Sequence, residues 1–131
     1  MDILDLVKAR LQSFGYDVKP EDDCALTFAI GDTEQALLDF CNIDEIPEGL
    51  RYLCVDRAVG EFLFTKRATS GEDLLSGVSL DLMASQIKEG DVTVQYGTGS
   101  DMTPSARLDA FIKAFRVKGK DQLLRYRRIA W

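Results

Sequence analysis

The chain has 131 residues, 46% hydrophobic and 29% charged, with a net charge of −6. That describes one globular domain able to bury about two-thirds of its unfolded surface, and it excludes a disordered chain. Histidine is absent, which excludes imidazole metal ligands and histidine acid–base chemistry.

A first helix is expected over residues 2–14. Ile3, Leu6, Val7, Arg10, Leu11 and Phe14 keep the 3.6-residue period, Asp2 suits the N-cap and Gly15 the stop. The same N-terminal stretch lacks a basic region followed by an apolar run, so no signal peptide is expected. No apolar run approaches the length of a membrane span. After a loop closed by Pro20, a second helix starts at Asp22 or Asp23, either of which can cap it. Its face is Leu26, Ala29, Ile30, Thr33, Leu37, Phe40 and Cys41, and Asn42 terminates it. Gly31 inside it costs about 1 kcal/mol relative to alanine and predicts a bend or a close neighbour.

Ile46 to Arg67 predicts the spine of the fold, a long helix with Pro47 at its first position. Glu48 at one end and Lys66 and Arg67 at the other suit the helix dipole. Its apolar residues spread well beyond one stripe, so it should be touched from several sides. The short link from Ile43 to Ile46 favours an antiparallel hairpin with the second helix.

Beyond Thr69-Ser70-Gly71 the period changes. Val78, Leu80 and Leu82 alternate with polar residues, as do Val92, Val94 and Tyr96 after the turn at Gly90-Asp91, which predicts strands. Such a ribbon is too small to stand alone and should lie on the bundle or on another molecule. Thr103-Pro104 then opens a last helix bearing Leu108, Phe111, Ile112 and Phe115, ended by Gly119. The fold class is therefore mainly α: one domain with a bundle of about four helices, residues 1–69 and 103–118. A loop or β-hairpin over 70–102 is inserted, and residues 119–131 form a basic tail.

No catalytic constellation survives inspection. Gly97 and Gly99 lack the lysine and helix of a phosphate loop. The clusters Glu21-Asp22-Asp23 and Asp44-Glu45 lack the ligand pattern of a calcium loop and read as helix caps. Cys24, Cys41 and Cys54 are odd in number, fit no zinc spacing, and read as reduced thiols on apolar helix faces. No enzymatic activity, cofactor or metal is expected. Charge, in contrast, is sharply divided: residues 1–100 carry 8 basic and 19 acidic side chains, residues 101–131 carry 8 basic and 3 acidic. Such asymmetry suits a protein that meets oppositely charged surfaces.

The tail Arg125-Tyr126-Arg127-Arg128-Ile129-Ala130-Trp131 combines residue types enriched at interface hot spots. Leu123 and Leu124 are expected to anchor it, leaving Arg125, Tyr126, Arg127, Arg128 and Trp131 available to a protein partner. Gly90, Asp91, Val92, Val94 and Tyr96 are expected at a contact with another subunit, because an unpaired strand edge invites a second chain. The alternative is a small helical nucleic-acid-binding protein whose tail arginines meet phosphates.

In order and spacing, the layout resembles the small head-tail connector proteins of long-tailed bacteriophages, the head-completion adaptors beneath the portal. The resemblance lies in Phe40-Cys41-Asn42, in Ile46-Pro47, and in the run Asp56-Arg57-Ala58-Val59-Gly60-Glu61-Phe62-Leu63. It continues in Glu89-Gly90-Asp91-Val92-Thr93-Val94 and closes with Tyr126-Arg127-Arg128-Ile129-Ala130-Trp131. Ala130 stands where a basic residue is expected, and Gly31 is unexpected inside helix 2. The resemblance implies a structural virion protein, present in the host cytoplasm before assembly. It implies partners in the portal, a tail-side completion protein and other copies of itself, in a closed ring of about a dozen. DNA would pass through the channel without specific binding.

Overall fold

The structure is a computed structural model that describes residues 2–70, 77–79, 82 and 103–128. It is mainly helical, a small bundle with no strand among the described residues. Helix α1 spans Ile3–Ser13, α2 Asp23–Cys41, α3 Arg51–Ser70, α4 Pro104–Arg116 and α5 Lys120–Tyr126.

Local chemistry sets most of the ends. The Asp2 side chain accepts the Asp5 N–H at 3.0 Å, and Gly15 takes a left-handed φ of +84°. Asn42 closes α2 in the left-handed region that asparagine tolerates best among residues bearing a side chain. Thr103 accepts the Ala106 N–H at 3.1 Å, with Pro104 just inside α4. Two starts differ from expectation. Pro47 is extended (φ −68°, ψ 155°) and precedes a 3₁₀ turn over Glu48–Leu50, so α3 begins at Arg51 and runs on to Ser70. Asp22 does not cap α2. It lies in a 3₁₀ turn and is buried, with its carboxylate turned to other partners.

Helix α3 is the spine. Leu53, Cys54, Val55, Ala58, Val59, Phe62 and Leu63 are buried over most of its circumference, Tyr52 and Phe64 remaining exposed, and α1, α2 and α4 all pack against it. Helix α2 runs antiparallel to it: Cys41 shares a cluster with Leu53, while Asp22 at the far end pairs with Lys66 at 3.0 Å. Helix α4 is also antiparallel, with Asp109 paired to Arg67 at 3.0 Å and Arg116 to Glu61 at 2.8 Å. The larger core joins Val7, Leu11, Phe14, Leu26, Phe62, Phe111 and Phe115; a smaller one joins Leu37, Cys41, Leu50, Leu53, Cys54 and Leu123.

The strand expected at Val78–Leu82 is not formed. Val78 lies in a bend, and Leu82 is helical. Ser79 gives the reason: its N–H donates to the Phe14 carbonyl at 2.6 Å, and its hydroxyl accepts the Leu82 N–H at 3.3 Å. The serine is thus held by the end of α1 and by Leu82, while Val78 packs on the larger core. The second ribbon segment, Val92 to Tyr96, lies outside the described residues.

Glycine plays opposite parts in α2 and α3. A Cβ on Gly31 would meet nothing within 4 Å, so neither a close neighbour nor any packing need explains it. A Cβ on Gly60 would lie 2.8 Å from the Arg116 backbone nitrogen and 3.0 Å from the Phe115 carbonyl carbon. Backbone cannot swing aside as a side chain can. Urea unfolding should show Gly60→Ala destabilising by about 1–3 kcal/mol through overpacking. Gly31→Ala should stabilise by about 1 kcal/mol through helix propensity.

Asp22 supplies a pH signature. Burial alone would raise its pKa. The Lys19 N–H, the Lys66 ammonium and the Tyr16 hydroxyl outweigh that and hold the carboxyl below its usual value. A depressed folded-state pKa means the stabilisation is present above the unfolded value of about 3.9. It is lost as pH falls through the lower, folded value. Urea midpoints measured from pH 6 to pH 2 should therefore fall in acid, and Asp22→Asn should flatten part of that fall.

Candidate interaction surface

The C-terminal segment is seated on the end of α2. It is not a free tail, and its first part is helical. Gly119, at φ +75°, turns the chain after α4, and α5 follows to Tyr126. A Cβ at Gly119 would strike the Leu53 side chain, so the turn is pressed directly onto the spine. Leu123 is buried at 2% exposure, whereas Leu124 is 50% exposed and belongs to neither core among the described residues. Its place is taken by Tyr126, which packs on the smaller core and lies against the backbone at Gly49.

Beyond Tyr126 the backbone is held as well. The Arg128 N–H donates to the Cys41 carbonyl at 2.8 Å, and the Asn42 side-chain amide donates to the Arg128 carbonyl at 2.8 Å. The Arg127 guanidinium sits 5.0 Å from the Phe40 ring centroid, a cation–π contact. Gln122 donates to the Gly49 carbonyl at 2.9 Å. Two separate sequence motifs, Phe40-Cys41-Asn42 and Tyr126-Arg127-Arg128, are therefore the two halves of one contact. Phe40, Asn42 and Gly49 are the residues that sequence reasoning did not place here. The one sequence signal among them was Asn42, legible as the terminator of α2.

The motif Asp56 to Leu63 has the same character. Buried Asp56 receives Arg10 Nε at 2.9 Å and the Lys118 ammonium, joining α1, α3 and the α4–α5 turn. Arg57 Nε donates to the Lys118 carbonyl at 2.8 Å, and burial pulls its pKa down. The Phe62 ring meets Tyr16 edge to face at 5.7 Å. These contacts are structural, and they orient the C-terminal segment.

Of the expected interface residues, Arg125, Arg127 and Arg128 are exposed and Tyr126 is half-buried. Gly90, Asp91, Val92, Val94, Tyr96 and Trp131 lie outside the described residues. Between α3 and α4 a further groove has Phe64, Ile112 and Val117 on its walls, with Arg67–Asp109 and Arg116–Glu61 beside them. Burial pushes the Cys54 thiol up to about 12, and raises that of Cys41 against the opposing pull of Arg127 and Arg57. Cys24, one position outside the Leu26–Ile30–Thr33–Leu37 stripe, is exposed and not on the apolar face expected of it. Among the described residues no three Cys, Asp or Glu side chains converge as metal ligands, and no helix is long and apolar enough to cross a membrane.

The chain matches no protein-family model, no curated protein and no solved structure.

Because Tyr126 and Arg128 are docked, the segment contributes to stability and is not a detachable tail. Removing residues 125–131 deletes a half-buried aromatic ring and two backbone-directed hydrogen bonds. It should cost about 2–4 kcal/mol in urea unfolding. The larger core, which contains none of these groups, should keep most of the far-ultraviolet helical signal.

Proposed function

We propose that the protein is a structural virion component, a head-tail connector subunit that assembles as a ring beneath a phage portal, extends the DNA channel and offers a docking surface to the tail. The observation that carries this reading is the segregation of charge on a helical bundle. Helix α2 bears Asp23, Asp32, Glu34 and Asp39 and no basic side chain. Residues 116–128 bear six basic side chains and one acidic.

A ring requires two unlike surfaces on every subunit, because each contact within it is heterologous. A net negative ring also repels passing DNA, which suits a conduit that must not hold its cargo. The resemblance in motif order supports the same reading. Two of the motifs that carry it, Phe40-Cys41-Asn42 and Tyr126-Arg127-Arg128, meet each other in the fold. On this reading the protein has no enzymatic role, and its partners are the portal, a tail-side completion protein and its own copies.

Mass measurement of the purified chain, alone and mixed with a portal protein, tests the proposal. The expected result is a portal-bound assembly of about a dozen subunits. A chain that leaves the portal uncaptured, yet shifts DNA in a low-salt gel with steep salt dependence, would reverse the assignment in favour of nucleic-acid binding through Arg125, Arg127 and Arg128.

A further inference from the structure

We infer that the basic C-terminal end of one copy, centred on Leu124, docks on the acidic face of α2 of the next copy, centred on Phe28. The inference rests on the ring-forming reading above and names the surfaces that would make the contact.

Both centres are large apolar side chains left in water, Phe28 at 68% exposure and Leu124 at 50%. Acidic side chains predominate around Phe28 and basic ones around Leu124, although exposed Asp121 lies one turn before Leu124. On the Phe28 side of α2 stand exposed Asp32 one turn onward and exposed Asp39 about three turns onward, while Asp23 lies on another side of the helix and is paired with Lys8 at 3.0 Å. Around Leu124 stand exposed Lys120 one turn back, and Arg125, Arg127 and Arg128 just beyond. Beside Phe28, exposed Gly31 leaves open space where a side chain would be. An incoming leucine could lie there against the ring.

The two surfaces cannot meet within one chain. Helix α5 is tied to Cys41 at the C-terminal end of α2 through Leu123 and Arg128, and Phe28 is roughly 20 Å back along that helix at about 1.5 Å per residue. A two-fold axis through either surface alone would set acidic against acidic or basic against basic, and like charges facing each other are strongly disfavoured. The pairing that matches both sign and apolar centre joins the unlike surfaces of two copies, and repeated head to tail such a contact closes rings or extends filaments.

Sedimentation of the purified full chain tests this, first at low salt and then with salt added. Self-association should weaken as salt screens the charges. Asp32→Lys and Arg125→Glu should each weaken it about tenfold or more by placing like charges in register. Carried together in one chain, the two exchanges restore opposite signs, and association should return to within about threefold of the original, as expected of coupled sites. Phe28→Ala and Leu124→Ala should also weaken it with charge unchanged. All four side chains are exposed, so the helical signal should be unaltered in each variant. Single exchanges that associate as tightly as the parent, or a double exchange weaker than either single one, would overturn the inference. A parent chain that stays monomeric at every concentration would also overturn it, whereas the connector reading stands or falls separately on capture by the portal.

Discussion

Backbone proximity between α3 and α4 at Gly60 is the constraint on which the bundle depends. Helices normally pack with axes about 8–10 Å apart, the spacing being set by the side chains at the contact. At Gly60 the partner atoms belong to the backbone of Phe115 and Arg116, so the crossing point is fixed by the absence of a side chain. Once the crossing is fixed, its flanks follow. Glu61 meets Arg116 on one side, and Arg57 reaches the Lys118 carbonyl beyond the helix end. Phe111 and Phe115 then fall onto the larger core beside Phe14 and Phe62.

Two buried carboxylates complete what the apolar surfaces leave undecided. A helix buried on nearly all sides can slide or rotate against its neighbours at little hydrophobic cost, because apolar contact is not directional. Asp56 and Asp22 remove that freedom. Asp56 requires Arg10 and Lys118 at once, and Asp22 requires Tyr16, the Lys19 N–H and Lys66. A buried charge deprived of its partners is strongly destabilising, so alternative registers that separate these groups are penalised. Both carboxylates therefore act on register, and Asp22 on stability as well.

Through this frame the fold also determines the surface. The α4–α5 turn at Gly119 presses on Leu53, Leu123 enters the smaller core, and Tyr126 covers Gly49. Those three contacts hold α5 at the C-terminal end of α2. As a result the cations of residues 120–128 gather at one end of the molecule, away from Phe28 and the early part of the acidic helix. Asp44 and Glu45 share a surface with Arg128 there, so the division of charge along the chain is only partly a division in space.

Much of this was legible in the sequence because it is set by local physics. Asp2, Asn42, Thr103 and Pro104 mark helix ends through hydrogen bonds and dihedral preferences that reach only a few residues. The 3.6-residue period of Leu26, Ile30, Thr33 and Leu37 marks a buried face. The breadth of apolar surface on Ile46 to Arg67 identified the spine, and the charge count divided the chain. Other features depended on groups far apart in sequence. Asp22 looks like a cap until Tyr16 and Lys66 are beside it. Gly31 and Gly60 are both glycines within helices, and only the position of α4 shows that one is dispensable and the other is not. Val78 to Leu82 alternates as a strand does, but the Phe14 carbonyl claims the Ser79 N–H. Leu124 reads as an anchor and Tyr126 as a residue left to a partner, yet it is Tyr126 that docks, because Gly49 leaves room for its ring. Local pattern sets which segments become helices and which face is apolar, whereas the partner of each buried polar group and each glycine is decided only when distant segments come together.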